Sequence, residues 1–229
     1  MPTSPELKLL LRPLFKRHPE LAFARRVLFF APLTHYLRGV VFGSKMSGAS
    51  DVIPFACPLY TGDSLVDVEA TENQDEFRIW PEWKSDPFGT SWELCDILER
   101  RFLPSVEPIV DFESHLNAPE YIPVDNPDRW NSPSMNFWRA LSACTVGSYD
   151  SAQELLERSE DVCTECFPGR VTEEFRFAFS TFERIRYLLN LLRTDRAQVL
   201  VLLHDWEAFT VRENKMLKYW KSTPFRCEL

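Results

Sequence analysis

The chain has 229 residues, 45% of them apolar and 14% aromatic, with 34 acidic against 26 basic side chains and a net charge of −8. That much apolar and aromatic material excludes a largely disordered chain. No apolar run approaches the roughly 18 residues of a transmembrane helix, and the net acidity argues against general nucleic-acid binding, where phosphate neutralisation supplies most of the affinity.

The charge is unevenly placed. Residues 1–45 hold eight Lys/Arg against two Asp/Glu, and residues 46–229 hold 18 against 32. The basic start, MPTSPELKLLLRPLFKRHPELAFARR, is transit-peptide-like in composition but lacks the central apolar stretch of a secretory signal, so a cytosolic N-terminus is expected. Cys57, Cys95, Cys144, Cys163, Cys166 and Cys227 follow no disulfide framework and read as reduced thiols of the cytoplasm.

In chain order, Ser4 and Pro5 start a short helix with Leu7, Leu10, Leu11 and Leu14 at helical spacing, limited by Pro13 and Pro19. From Val27, the segments RVLFFAPL, HYLRGVVFG and DVIPFACPLY have strand length and turn punctuation. Pro54 and Pro58 make the third an edge strand or an interrupted one. Further extended pieces are expected at Leu65–Val68 and Phe77–Trp80. GTSWELCDILERRFL then reads as a helix with Thr90 or Ser91 as N-cap and Trp92, Cys95, Leu98 and Phe102 on one stripe.

Six of the 17 prolines fall between Pro104 and Pro133, which reads as an extended connector. Beyond it the pattern is helical. SPSMNFWRALSACTV and DSAQELLERSEDVCTEC flank the turn Gly147-Ser148-Tyr149, with Asp150 and Gln153 at N-cap and N3 spacing. Phe175, Phe179, Phe182, Ile185, Leu189 and Leu192 form one stripe. Asp195 caps a last helix carrying Val199, Leu202, Leu203 and Trp206 and continuing toward Leu217 and Trp220, and Phe225 packs back. The fold class expected is α+β. Residues 1–103 form an α+β domain with a small, mainly antiparallel sheet and flanking helices. Residues 104–133 form the connector, and residues 134–229 form an all-helical domain of two antiparallel hairpins.

Ala140, Gly147 and Ala152, with Tyr149, within ALSACTVGSYDSAQELLE (residues 140–157), place small residues and one aromatic where two helices meet across a turn. The stretch resembles the middle of a tetratricopeptide repeat, and no second copy is visible at that family's period. The resemblance implies a helix–turn–helix that binds a protein or peptide.

Few motifs suggest chemistry. GVVFGSKMSGAS brings Gly39, Gly43 and Gly48 near Ser44 and Lys45, but a phosphate-binding loop needs GxxxxGK and then Ser or Thr at a helix start. The order here is wrong and β-branched residues with prolines follow, so the stretch reads as a hairpin loop. Cys163 and Cys166 form one CxxC with no second pair and no nearby histidine, so ordinary helix-end thiols are expected, with no metal and no cofactor. His18, His35, His115 and His204 form no motif. His204 and Asp205 are adjacent on a helix and diverge by about 100°. No catalytic residue is assigned.

The segment FRIWPEWKSDPFGTSWELCD crowds Trp80, Trp83, Phe88 and Trp92 together with Glu82, Asp86 and Glu93 between them. Trp is enriched at binding hot spots because it buries much area and keeps a donor. Trp80, Glu82, Trp83, Asp86 and Phe88 are therefore the candidate partner-binding residues. The expected function is a cytosolic protein-interaction module, an adaptor or an inhibitor of the immunity-protein kind, whose partner is another protein with a basic surface. The alternatives are a hydrolase-like enzyme with a site joining His35, Cys57 and carboxylates of the Trp-rich segment in a cleft between the two parts, and a nucleic-acid accessory protein using the basic N-terminal segment.

Overall fold

A computed structural model describes residues 2–43, 50–62, 78–79, 81–117, 133–166 and 176–229. The chain is α+β: an antiparallel sheet lies in its first part, and the later part is mostly helical. It divides into two compact units. The first comprises Met1–Leu59, Asp63–Ile122 and Ala208–Ser222; the second comprises Tyr60–Gly62, Pro123–Glu207 and Thr223–Leu229.

The first unit opens with α1 (Ser4–Leu10). Thr3 is its N-cap and shares a capping box with Glu6: the Thr3 amide donates to the Glu6 carboxylate at 2.7 Å, and the Glu6 amide to Oγ1 of Thr3 at 3.4 Å. A break at Leu11 and Pro13 starts α2 (Arg12–Arg17), and Leu7, Leu10, Leu11 and Leu14 are all buried, as their spacing predicts.

Five strands follow in the order β1 (Leu21–Ala24), β2 (Val27–Phe30), β3 (Tyr36–Phe42), β4 (Ser50–Pro58) and β5 (Arg78–Ile79), each antiparallel to its neighbour. Strand β1 is absent from the sequence expectation because LAFA has no β-branched residue to mark it. It forms a hairpin with β2 across Arg25, whose φ is 54°. Pro54 and Pro58 do not interrupt β4. They share one parity, their missing amides face away from β3, and among the described residues β5 pairs with Ser50 and Asp51 alone. Leu65–Val68, Phe77 and Trp80 lie outside the described residues.

One sheet face packs Phe23, Leu28, Phe30, Val40, Phe42 and Val52 against α1 and α3 (Pro87–Ile97). On the other face Phe29 meets Tyr219 edge to face, and Leu33 exchanges backbone hydrogen bonds with Tyr219 and Lys221. Burial on both faces explains why the strands read as apolar runs rather than as alternations. After α3 a π-helical turn (Leu98–Phe102) leads to the short helices α4 (Leu103–Val106) and α5 (Phe112–Leu116). Pro104 sits in the first turn of α4, and Asp111 caps α5 by accepting the Ser114 amide at 2.8 Å, so this proline-rich stretch contains helix. Residues 118–132 lie outside the described residues.

In the second unit α6 (Pro133–Thr145) and α7 (Tyr149–Cys166) pack as a hairpin across Gly147, whose φ is 78°. Ala140 and Ala152 are fully buried in it. Helix α7 begins at Tyr149, so Asp150 is not its N-cap; its carboxylate instead meets Arg196 at 2.6 Å. Glu157–Arg193 and Glu160–Arg186 pairs link α7 to α8 (Arg176–Thr194). Ile185, Leu188, Leu189 and Leu192 of α8 join Val199 and Leu203 of α9 (Ala197–Glu213), together with Tyr60 and Phe225, in one core. Phe225 packs back, edge to face with Tyr60. Phe175 and the side chain of Phe179 lie outside the description. No described helix is long and apolar enough to cross a membrane.

Candidate functional site

The aromatic segment is organised by the start of α3. Asp86 is the N-cap; Thr90 and Ser91, the expected caps, lie inside the helix. The Asp86 carboxylate accepts the Gly89 amide at 2.8 Å, and Pro87 supplies a first-turn φ at no cost in hydrogen bonds. A Cβ at Gly89 would lie 2.2 Å from Oδ2 of Asp86, so any side chain there displaces the capping carboxylate.

The inner face of α3 is tied to α1. The Ser91 hydroxyl donates to the Leu10 carbonyl at 2.6 Å, and Leu94, Cys95 and Leu98 enter the core. That contact sets the rotation of the helix about its axis. Trp92, expected on the buried stripe with Cys95, is turned outward instead and is 65% exposed. Phe88, one turn earlier on the same face, is 84% exposed.

The candidate residues therefore separate. Trp80 lies outside the described residues. Trp83 is a core residue, 7% exposed. Lys84 lies 5.5 Å above its ring and reaches Glu6 at 3.0 Å. Backbone and side-chain hydrogen bonds from Thr3, with the Lys84 contact, hold the Glu6 carboxyl down to about 2. Glu82, Asp86, Phe88, Trp92 and Glu93 are all at the surface, Phe88 and Trp92 sharing one side of the helix and Glu93 turned about 100° from Trp92. Apolar aromatic faces next to carboxylates suit cationic or apolar side chains of a partner.

Three other clusters went unread in the sequence. The ring of His204, passed over with Asp205, is flanked by Glu207 one turn along and by Glu228. Its Nε2 is 2.9 Å from Glu228, its Nδ1 is 3.8 Å from Glu207, and it stacks on Phe225 at 4.3 Å. Glu228 also accepts the Phe225 amide, so the cluster fastens the last residues. Glu207, Thr210 and Asn214 are all buried, a polar continuation of the stripe that begins with Val199 and Leu203. Secondly, Tyr36 and His115 form a partly buried pair at 2.5 Å. Thirdly, the Cys227 thiol lies 3.6 Å from the Cys144 carbonyl, and burial pushes the Cys144 thiol up to about 12, which removes its nucleophilicity at neutral pH.

The basic N-terminal residues have internal uses. Arg17 meets Glu99 at 2.6 Å, Arg26 donates to the carbonyls of Pro2, Phe42 and Gly43, and Arg38 donates to those of Glu107 and Ile109. The ladder pairs Leu37 with Cys57, and the Leu59 amide donates to the carbonyl of His35, which lies just before β3, two residues from the partner of Cys57. Residues 44–49, including Lys45, lie outside the description, as do the side chains of Cys163 and Cys166. Among the described residues no group of three or more His, Cys, Asp or Glu side chains is placed to hold a metal ion. The chain matches no protein-family model, and neither a curated protein nor a solved structure is similar to it.

Proposed function

We propose that this protein is an interaction module, an adaptor or inhibitor acting in the cytoplasm, that engages another protein through the outer face of α3. The observation that carries this reading is the pairing of Phe88 and Trp92 on one side of the helix, 84% and 65% exposed, while Ser91, Leu94, Cys95 and Leu98 hold the buried side. Two adjacent, solvated large aromatics cost solubility and are the residue types that dominate interface energetics. A rigid helix presents them with little ordering entropy left to lose on binding. The tetratricopeptide-like hairpin at residues 140–157 fits a binding role, and the thiols of Cys95, Cys144 and Cys227 fit a reducing compartment.

The test is capture of partners by the tagged protein from its native lysate, beside the double variant F88A/W92A. A near-stoichiometric protein retained by the wild type and lost from the folded variant supports the reading; equal capture by both defeats it. The second reading, a hydrolase-like enzyme, draws on the β3–β4 ladder, which places His35 two residues from Leu37, the partner of Cys57. It would require that His35→Ala abolish a hydrolytic activity of the purified protein.

A further inference from the structure

We infer that His18 is a proton-read clasp, which ties the turn before β1 to the π-helical turn after α3 while its ring is protonated and releases one of them when the proton leaves. The inference goes beyond the interaction reading and does not depend on it. His18 closes α2, and the Leu21 amide donates to its carbonyl at 3.1 Å. Pro19 stiffens that turn by fixing φ at its second residue, so Glu20 is held close to the ring. Nδ1 of His18 lies 3.0 Å from Oε1 of Glu20, and Nε2 lies 2.9 Å from Oε1 of Glu99. One imidazole thus bridges two carboxylates that reach it from different elements.

Both contacts are hydrogen bonds only when both ring nitrogens carry hydrogen. An ionised carboxylate accepts and cannot donate, and a neutral imidazole has one N–H and one lone pair. The Arg17 hydrogen bond and then His18 hold Glu99 below the usual carboxylate range, and its own backbone amide and then His18 do the same for Glu20. The carboxylates are therefore ionised wherever histidine ordinarily changes charge, between about pH 5 and 8. Among the described residues the ring is surrounded by these two carboxylates, by Arg17 of α2 and by the Cys95 thiol of α3. Arg17 shares Oε1 of Glu99 at 2.6 Å, and burial pushes the Cys95 thiol beside it up, which keeps it uncharged. With His18 protonated, two cations balance two anions. With His18 neutral, the cluster is left with an uncompensated negative charge, and in one contact a ring lone pair faces an anionic oxygen, so that contact opens. The contribution of the clasp is present on the acidic side and lost as pH rises, opposite in sense to that of a lowered carboxylate.

The test is a pair of double-mutant cycles by urea unfolding of the full chain, His18→Ala against Glu20→Gln and His18→Ala against Glu99→Gln. They are run in about 50 mM salt at about pH 5.5 and about pH 8.5. At the lower pH each coupling should amount to about threefold in the unfolding equilibrium constant. At the higher pH at least one should fall to unity within error. A control cycle of Lys84→Ala against Glu6→Gln, a pair that contains no histidine, should give the same coupling at both. The titration of His115 is common to all members of each cycle and cancels. Long-range proton–nitrogen correlation of the His18 ring should show one nitrogen losing its hydrogen over the pH range in which the coupling disappears. Circular dichroism checks that the variants fold, and His18→Gln replaces His18→Ala if the latter does not. Both couplings unchanged between the two pH values overturn the inference. So does the absence of both at about pH 5.5, or a ring that has lost a hydrogen while both couplings persist.

Discussion

The hydroxyl of Tyr36 and Nδ1 of His115 lie 2.5 Å apart, with their rings edge to face at 5.9 Å. Burial holds His115 down to about 4 from its ordinary 6.5. The unfolded chain therefore takes up a proton between pH 6.5 and 4 that the folded chain refuses. The stabilisation from keeping this ring neutral is complete above about pH 6.5 and is lost as the pH falls toward 4, up to about 3 kcal/mol in all. Urea midpoints measured from pH 7 to 4.5 should fall for the wild type and fall less steeply for His115→Gln. Tyr36→Phe should cost about 1 to 2 kcal/mol at pH 7 by removing a partly buried hydrogen bond.

A Cβ at Gly39 would stand 1.9 Å from the Leu28 carbonyl and 2.8 Å from Cα of Phe29. Both are backbone atoms of the paired strand β2, so no side-chain adjustment relieves the overlap. Gly39→Ala should destabilise the first unit by about 3 kcal/mol or more, read as a lowered thermal midpoint or as insoluble expression.

Glu99 takes Nε and one terminal nitrogen of Arg17 at 2.6 and 3.0 Å, and His18 Nε2 at 2.9 Å. The Arg17 hydrogen bond, with a further contribution from His18, holds the Glu99 carboxyl below the usual carboxylate range against the effect of partial burial. A lowered carboxylate stabilises above its unfolded range and loses that contribution as pH falls through its folded value. Because Arg17 is half exposed, the contribution is screened to about 1 kcal/mol. Glu99→Gln should cost that much at neutral pH and low salt, and the difference from wild type should vanish in acid.

Trp83 and Trp92 should respond oppositely. Trp83→Ala opens the core and is expected to cost about 3 to 5 kcal/mol. Trp92→Ala should change stability by less than about 0.5 kcal/mol while removing an iodide-quenchable component of the fluorescence.

What was legible in the sequence is what periodicity encodes. The leucine stripe at 7, 10, 11 and 14, the antiparallel strands and the turn at Gly147 follow from spacing and turn chemistry. The rotation of α3 does not. Spacing alone lets Trp92 join Cys95 and Leu98, and only the Ser91–Leu10 hydrogen bond, which joins distant residues, turns it outward. The polar stripe of Glu207, Thr210 and Asn214 was invisible for a related reason. Such residues mark an exposed face in any local window, and their burial depends on what packs over them. Sequence adjacency sets His204 beside Asp205, whereas the helix brings Glu207, one turn along, onto the same side.

The covering of Phe29 by Tyr219 has a consequence for how the chain is made. Strand β2 leaves the ribosome about 190 residues before the segment that closes over its second face, an interval of roughly 10 to 40 s at ordinary elongation rates. Throughout that time the sheet carries an uncovered aromatic face. The second unit is in the same position, because Phe225 completes a core that begins with Tyr60. Nascent chains stalled before residue 215 should therefore recruit holding chaperones, and those carried past Leu229 on an added flexible linker that brings the whole sequence out of the ribosome should release them.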